Sequence, residues 1–206
     1  MADYLLYAKQ YYGIEFSMFS FNESDLGIDV LHTPQEHADF IKEFGAYLAG
    51  LNLPTRMLLG DNSDATTFDF ILPALNNLET HKYIGAVSFH SWRGCDDVTL
   101  KEVGGCCQSD NVPLLVGEGS TDAAAHGYAE IFNESTFALY EINLYTRICT
   151  ICQPLSILQW QLTSDYSLLW GDGIYGSKGP LRPTQRFLEY QQLASTPGRC
   201  LGHSGQ

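Results

Sequence analysis

Residues 16–27 read FSMFSFNESDLG, an apolar, aromatic run that breaks off at Asn22 and Glu23. A second apolar run, VPLLVGE (112–118), ends in Glu118. A carboxylate in such surroundings costs free energy unless it is paired or put to use, so two glutamates closing two apolar runs form a candidate catalytic pair. Other runs end in comparable residues: TRMLLG (55–60) leads into Asp61 and Asn62, YIGAVSFH (83–90) ends in His90 with Trp92 just beyond, and PLSILQWQ (154–161) carries Trp160. Two carboxylates can divide acid and nucleophilic work. In retaining glycoside hydrolysis a carboxylic acid protonates the departing oxygen while a carboxylate about 5–5.5 Å away attacks the anomeric carbon. A neighbouring asparagine can hydrogen-bond a sugar 2-hydroxyl, and tryptophan offers a flat apolar face to a pyranose ring. The candidate set is therefore Glu23 and Glu118 as catalytic residues, with Asn22, Asp61, His90, Trp92 and Trp160 toward the substrate. Asp61 and Asn62 also suit a turn, as GDNSD suggests.

Positioning these residues at one place requires strands that all point the same way. Between the apolar runs lie amphipathic stretches, the clearest being TPQEHADFIKEFGAYLAGL, where Phe40, Ile41, Phe44, Leu48 and Leu51 fall on one face. Its start carries Thr33 as a cap, Pro34 in the first turn and Glu36 to complete a capping box. Further helices are expected at 2–12, 67–80, 98–109, 128–147 and 183–195. The run at 14–21 is expected as a strand buried on both faces. Strands alternating with helices imply parallel β-α units, in which the site forms at the C-terminal strand ends. A closed barrel typically takes about 250 residues, and this chain has 206 with five expected strands. It reads as a barrel without its front.

Taken together, SFNESDLG, LLVGEGST and ILQWQLTSD resemble the clan of (β/α)8 retaining glycosidases whose acid/base ends the fourth strand and whose nucleophile ends the seventh. The resemblance implies a partial TIM (β/α)8 barrel, half to two-thirds of the whole, with parallel strands equivalent to strands 4 to 8 and flanking helices. By it, Glu23 after Asn22 matches the acid/base, Glu118 the nucleophile, His90 the sixth-strand residue that lines the site, and Trp160 the eighth-strand platform. The tail RPTQRFLEYQQLASTPG is similar to the closing helix of the family 30 type. These roles require a raised pKa at Glu23 and an ionised Glu118. The expected organisation is a single domain over 1–198 followed by a flexible tail, 199–206.

Composition narrows the partners. Lys+Arg number 11 against Asp+Glu 24, a net charge of -13, which disfavours a nucleic-acid groove and suits a neutral oligo- or polysaccharide. No apolar run has the roughly 20 residues of a membrane span, and MADYLLYAKQYYG has no basic segment leading into an apolar core, so no signal peptide is visible; localisation stays open. The chemistry calls for no metal and no cofactor. Open parallel edges favour association, so a homo-oligomer through the barrel edges is expected. Cys149 and Cys152 form a CxxC placed at the close of a helix, and with the adjacent Cys106 and Cys107 they read as ordinary thiols. GDGIYG (171–176) fits GxGxxG literally but opens no helix, and reads as a loop over the site. A serine hydrolase would need a GxSxG elbow, which is missing here. The rival of another class is a non-catalytic carbohydrate-binding or decayed half-barrel protein that keeps the same residues.

Overall fold

The computed structural model describes residues 1–122, 128–163 and 166–195; the expected tail 199–206 lies outside them. The chain groups into two compact units, one of Met1–Gly119 with Ile148–Leu158, the other of Ser120–Arg147 with Gln159–Gln206.

The first unit holds α1 (Ala2–Tyr12), β1 (Met18–Phe19), α2 (Pro34–Gly50), β2 (Arg56–Asn62), the short helices α3 (Leu72–Leu75) and α4 (Leu78–His81), β3 (Ile84–His90), α5 (Asp97–Ser109) and β4 (Leu114–Gly119). The end of α6 (Ser135–Cys152) returns to it and leads into β5 (Ile157–Gln159). The strands line up in the order β1-β2-β3-β4-β5 as a parallel sheet, a curled half-barrel with flanking helices. Ladder bonds set the last pairing: Leu155 N–H donates to the Leu114 carbonyl at 2.8 Å and Val116 N–H to that of Ser156 at 3.0 Å.

Two of the long helices start at capping residues. Thr33 and Glu36 form the reciprocal capping box of α2, with Pro34 in its first turn, and Asp96 accepts from Val98 and Thr99 N–H to open α5. Inside α2, Ile41 and Leu48 are fully buried, and Gly45 admits Tyr83, where a Cβ would collide. Phe40 and Phe44 sit only partly buried, in an aromatic cluster with Phe19 and Phe21 at centroid spacings of 4.6–5.9 Å.

Three expectations need correction. The run at 14–21 contributes only the two residues of β1, half-buried and not enclosed on both faces, and among the described residues β1 is an edge strand, hydrogen-bonded on the β2 side only. The helix expected at 67–80 is instead a 3₁₀ segment, Ala65–Ile71, followed by α3 and α4; Asp64 caps Thr66 N–H and Asn77 caps Glu79 N–H, so local side-chain bonds restart the chain twice. The helix expected at 128–147 begins at Ser135 and runs to Cys152.

The second unit contains the 3₁₀ turn Ala129–Asn133, the first part of α6, the antiparallel pair β6 (Leu169–Trp170) and β7 (Arg182–Pro183), and α7 (Gln185–Ala194). GDGIYG forms the turn region after β6, with Gly171 at φ 110° and Gly173 at φ 90°. The unit is centred on Arg186, which is 1% exposed and donates to Glu141 at 2.7 and 2.8 Å and to Ser120 Oγ at 2.8 Å, its guanidinium lying 5.0 Å from the Phe132 ring centroid. Among the described residues no helix is long and apolar enough to cross a membrane. Cys95, Cys106, Cys107, Cys149 and Cys152 are free thiols, and burial first pushes Cys107 up to about 12 and Cys152 to about 11.

Candidate active site

At the C-terminal ends of the β2–β3 and β3–β4 pairings, the regular register breaks in ways that aim the polar residues. The β2–β3 register slips between Gly60 and Asn62, leaving Asp61 as an extra residue at φ 51°. The β3–β4 register slips between Phe89 and His90, so that His90 pairs with Glu118 and Gly117 is skipped. An unpaired extra residue re-aims side chains that strict alternation would send to opposite faces. Beyond β1 the chain turns sharply at Glu23, φ 47°, whose N–H donates to the Asp61 carbonyl at 3.1 Å.

These devices converge on His90, which is fully buried. Its Nδ1 lies 3.0 Å from Glu23 Oε1 and 3.3 Å from Glu118 Oε2, and its Nε2 lies 3.4 Å from Asp61 Oδ1. One oxygen of Glu23, one of Glu118 and a ring nitrogen of His90 all fall within 4.8 Å of one another. Trp92 Nε1 donates to Glu118 Oε2 at 3.0 Å. Asp61, near Nε2, accepts from Ser20 Oγ through Oδ2 and from Ser88 Oγ through Oδ1 at 2.6 Å. Gly117 makes room for this cradle: a Cβ there would overlap Asp61 Oδ1 and Ser88 Oγ. The same three donors of Glu23, His90 and Glu118 are close enough to hold a metal ion, but each is already engaged by another member of the cluster.

The electrostatics follow from this arrangement. Two carboxylates face Nδ1 and a third, Asp61, lies 3.4 Å from Nε2 without a hydrogen bond to it, so the surrounding negative charge favours the imidazolium. Burial pulls the His90 pKa down, yet Asp61, Glu118 and Glu23 outweigh it and the net shift is upward. Asp61 is buried at a cost to its charge, but His90, Ser20 and Ser88 hold it ionised with a net lowered pKa. The sequence roles ask for an easily ionised Glu118. Its pKa is instead raised, by burial first and then by Glu23 and Asp61, with His90 and the Trp92 N–H opposing.

Of the sequence candidates, the first unit gathers Glu23, Asp61, His90, Trp92 and Glu118 around one point. Asn22 stands exposed next to Glu23. Trp160 belongs to the second unit, 37% exposed, its carbonyl accepting from Arg186 Nη2 at 2.7 Å and its peptide to Gln161 cis. Asp61, expected toward the substrate, is 7% exposed and turned to Ser20, Ser88 and His90. Ser20 and Ser88 were not singled out by sequence. Ser88 had a signal in principle, a hydroxyl inside the apolar strand GAVSFH that needed a buried partner.

No protein-family model matches the chain, and no curated protein does. Solved structures match it in fold. SrfJ from Salmonella typhimurium aligns with a TM-score of 0.70 at 14% identity, over 91% of this chain and 44% of that one. A GH30 endoxylanase from Clostridium papyrosolvens C71 aligns at 0.63 and 16% identity, over 79% and 39%. The GH39 enzyme from Xanthomonas axonopodis pv. citri aligns at 0.69 and 14% identity, over 96% and 44%. The chain thus shares its half-barrel fold with these proteins, glycoside hydrolases among them, and spans less than half their length.

Proposed function

We propose that the protein hydrolyses a neutral β-linked oligo- or polysaccharide by a retaining double displacement, with Glu118 as nucleophile and Glu23 as acid/base. The observation that carries this reading is the convergence of the two glutamates, one from the turn after β1 and one from β4, on the same ring nitrogen of His90. Oxygens within 4.8 Å suit the close carboxyl spacing of retaining enzymes. The likeness in fold to a protein named as an endoxylanase supports the same substrate class.

In the first step an oxygen of Glu118 bonds to the anomeric carbon, the bond from that carbon to the leaving oxygen breaks, and the Glu23 proton passes to that oxygen. In the second, water attacks the anomeric carbon, Glu23 takes the water proton, and Glu118 leaves as the carboxylate. His90 and Trp92 place N–H groups on Glu118 and stabilise it as the charge returns. Asp61 keeps His90 protonated and fixed. Asn22, exposed beside Glu23, supplies a hydrogen bond to the sugar.

The roles separate on leaving-group dependence. Glu23→Ala is expected to slow aryl glycosides with poor leaving groups by about 10²–10⁴-fold and activated ones far less. An equal loss for both would remove Glu23 as the acid. Sugar binding without turnover, unchanged in Glu118→Gln, would replace the enzymatic reading with a carbohydrate-binding one.

A further inference from the structure

Beside the Glu23 turn, α2 contributes a second buried histidine, bonded to Ser24 just past that turn and to Gly60 in β2. His37 is 1% exposed, with its ring 4.9 Å from that of Phe70. The Gly60 backbone N–H donates to its Nε2 at 3.1 Å, and its Nδ1 lies 3.2 Å from Ser24 Oγ. An amide N–H can only donate, so Nε2 must offer its lone pair and the ring proton sits on Nδ1, toward the serine. The neutral Nδ1–H tautomer is thereby fixed.

The two partners matter for where they stand. Ser24 follows Glu23 and Gly60 precedes Asp61, so the ring ties together the two left-handed residues whose side chains meet at His90. Adjacent bonds work in the same direction: Asp25 accepts from Ser63 N–H at 3.0 Å, Ser63 Oγ at 2.9 Å and Thr67 Oγ1 at 2.7 Å. A turn that places a non-glycine residue at positive φ holds only while its surroundings over-determine it.

We propose that His37 is a positioning residue for Glu23, a neutral clamp from Ser24 to Gly60 that fixes the Glu23–Asp61 turn and opens when the ring takes a second proton. That proton would sit on Nε2 and face the Gly60 N–H, donor against donor. The titratable groups facing the ring are His32, Asp25 and Asp61; burial first, then His32, hold it down to about 4 against the pull of the two aspartates. The kinetic consequence rests on the reading of Glu23 as acid/base, whereas the clamp itself does not.

The test follows the two histidines by ¹H–¹⁵N NMR in the intact chain. In the native protein His37 is expected to carry its proton on Nδ1 alone, to stay neutral well below the ordinary histidine range, and to shift the Gly60 amide and the His90 ring signals together when it titrates. His37→Phe keeps the packing on Phe70 and removes both nitrogens; it is expected to lower the His90 pKa, because Glu23 leaves Nδ1. If turnover is present, the same variant is expected to lose kcat by about 10²-fold, more for poor leaving groups, with little change in KM. A proton on Nε2, or a His37 titration that leaves Gly60 and His90 unmoved, would overturn the clamp, and so would a folded His37→Phe with unchanged His90 titration. Absence of turnover in the native protein would count against the proposed function alone, since the NMR results still decide for or against the clamp.

Discussion

The Glu23 N–H donates to the Asp61 carbonyl at 3.1 Å, and both residues lie in the left-handed region, at φ 47° and 51°. A main-chain bond between two such residues couples the acid/base candidate to the residue that holds His90. Small changes on either side of this bond are therefore expected to reach the carboxylate pair.

Asp61→Asn keeps side-chain hydrogen bonds to Ser20 and Ser88 but removes the charge facing His90 Nε2 at 3.4 Å. The His90 pKa is expected to fall, since Asp61 does most to raise it against burial. Turnover is expected to drop on the order of 10²-fold, with the fold retained. An NMR titration of His90 alongside kcat/KM measures both. Full activity with an unchanged His90 would show that Asp61 serves the turn only.

Gly117→Ala and Gly105→Ala make a pair of opposite sign. At Gly117 a Cβ would overlap Asp61 Oδ1 and Ser88 Oγ, an overpacking that costs about 2 kcal/mol and lowers Tm by roughly 4–8 °C in a chain of this size. Gly105 is exposed in α5 with nothing near its Cβ position, so alanine there is expected to stabilise by about 0.5–1 kcal/mol. Calorimetry on the two variants reads the contrast; equal effects would deny the tight cradle.

Activity and stability are expected to move in opposite directions with pH. Glu118 and His90 both have raised pKa values in the folded chain. A raised folded pKa gives stability that is complete below the unfolded value and is lost as pH rises through the folded one. For Glu118 that loss begins above the ordinary carboxylate value of 4.5 and for His90 above 6.5. Turnover needs ionised Glu118, so its acid limb should lie above 4.5 and rise while stability declines. Urea unfolding across pH in the native chain and in His90→Asn checks this: the decline above 6.5 should flatten in the variant.

The parallel half-barrel and its strand-end residues were legible because apolar runs broke at polar residues at each C-terminal end. Glu23, His90 and Glu118 could be named that way. Their facing could not, since it depends on the register slips at Asp61 and Gly117, and a slip leaves no periodic trace in one sequence. His37 was hidden for a related reason: on α2 it reads as one polar residue of an amphipathic helix, and only the fold sets it between Ser24 and Gly60. The β6–β7 pair escaped notice because two-residue strands carry no alternation, and the 67–80 helix failed because the caps at Asp64 and Asn77 outweighed its apolar pattern.

The proposed nucleophile, Glu118, is probed by intact mass after incubation with a panel of activated 2-fluoro glycosides, which trap the glycosyl-enzyme of a retaining glycosidase. A single adduct is expected, one that maps to Glu118, is absent in Glu118→Gln, and identifies the sugar by its mass and by which member of the panel reacts. No adduct from any sugar on a folded preparation, or an adduct on another residue, would contradict it.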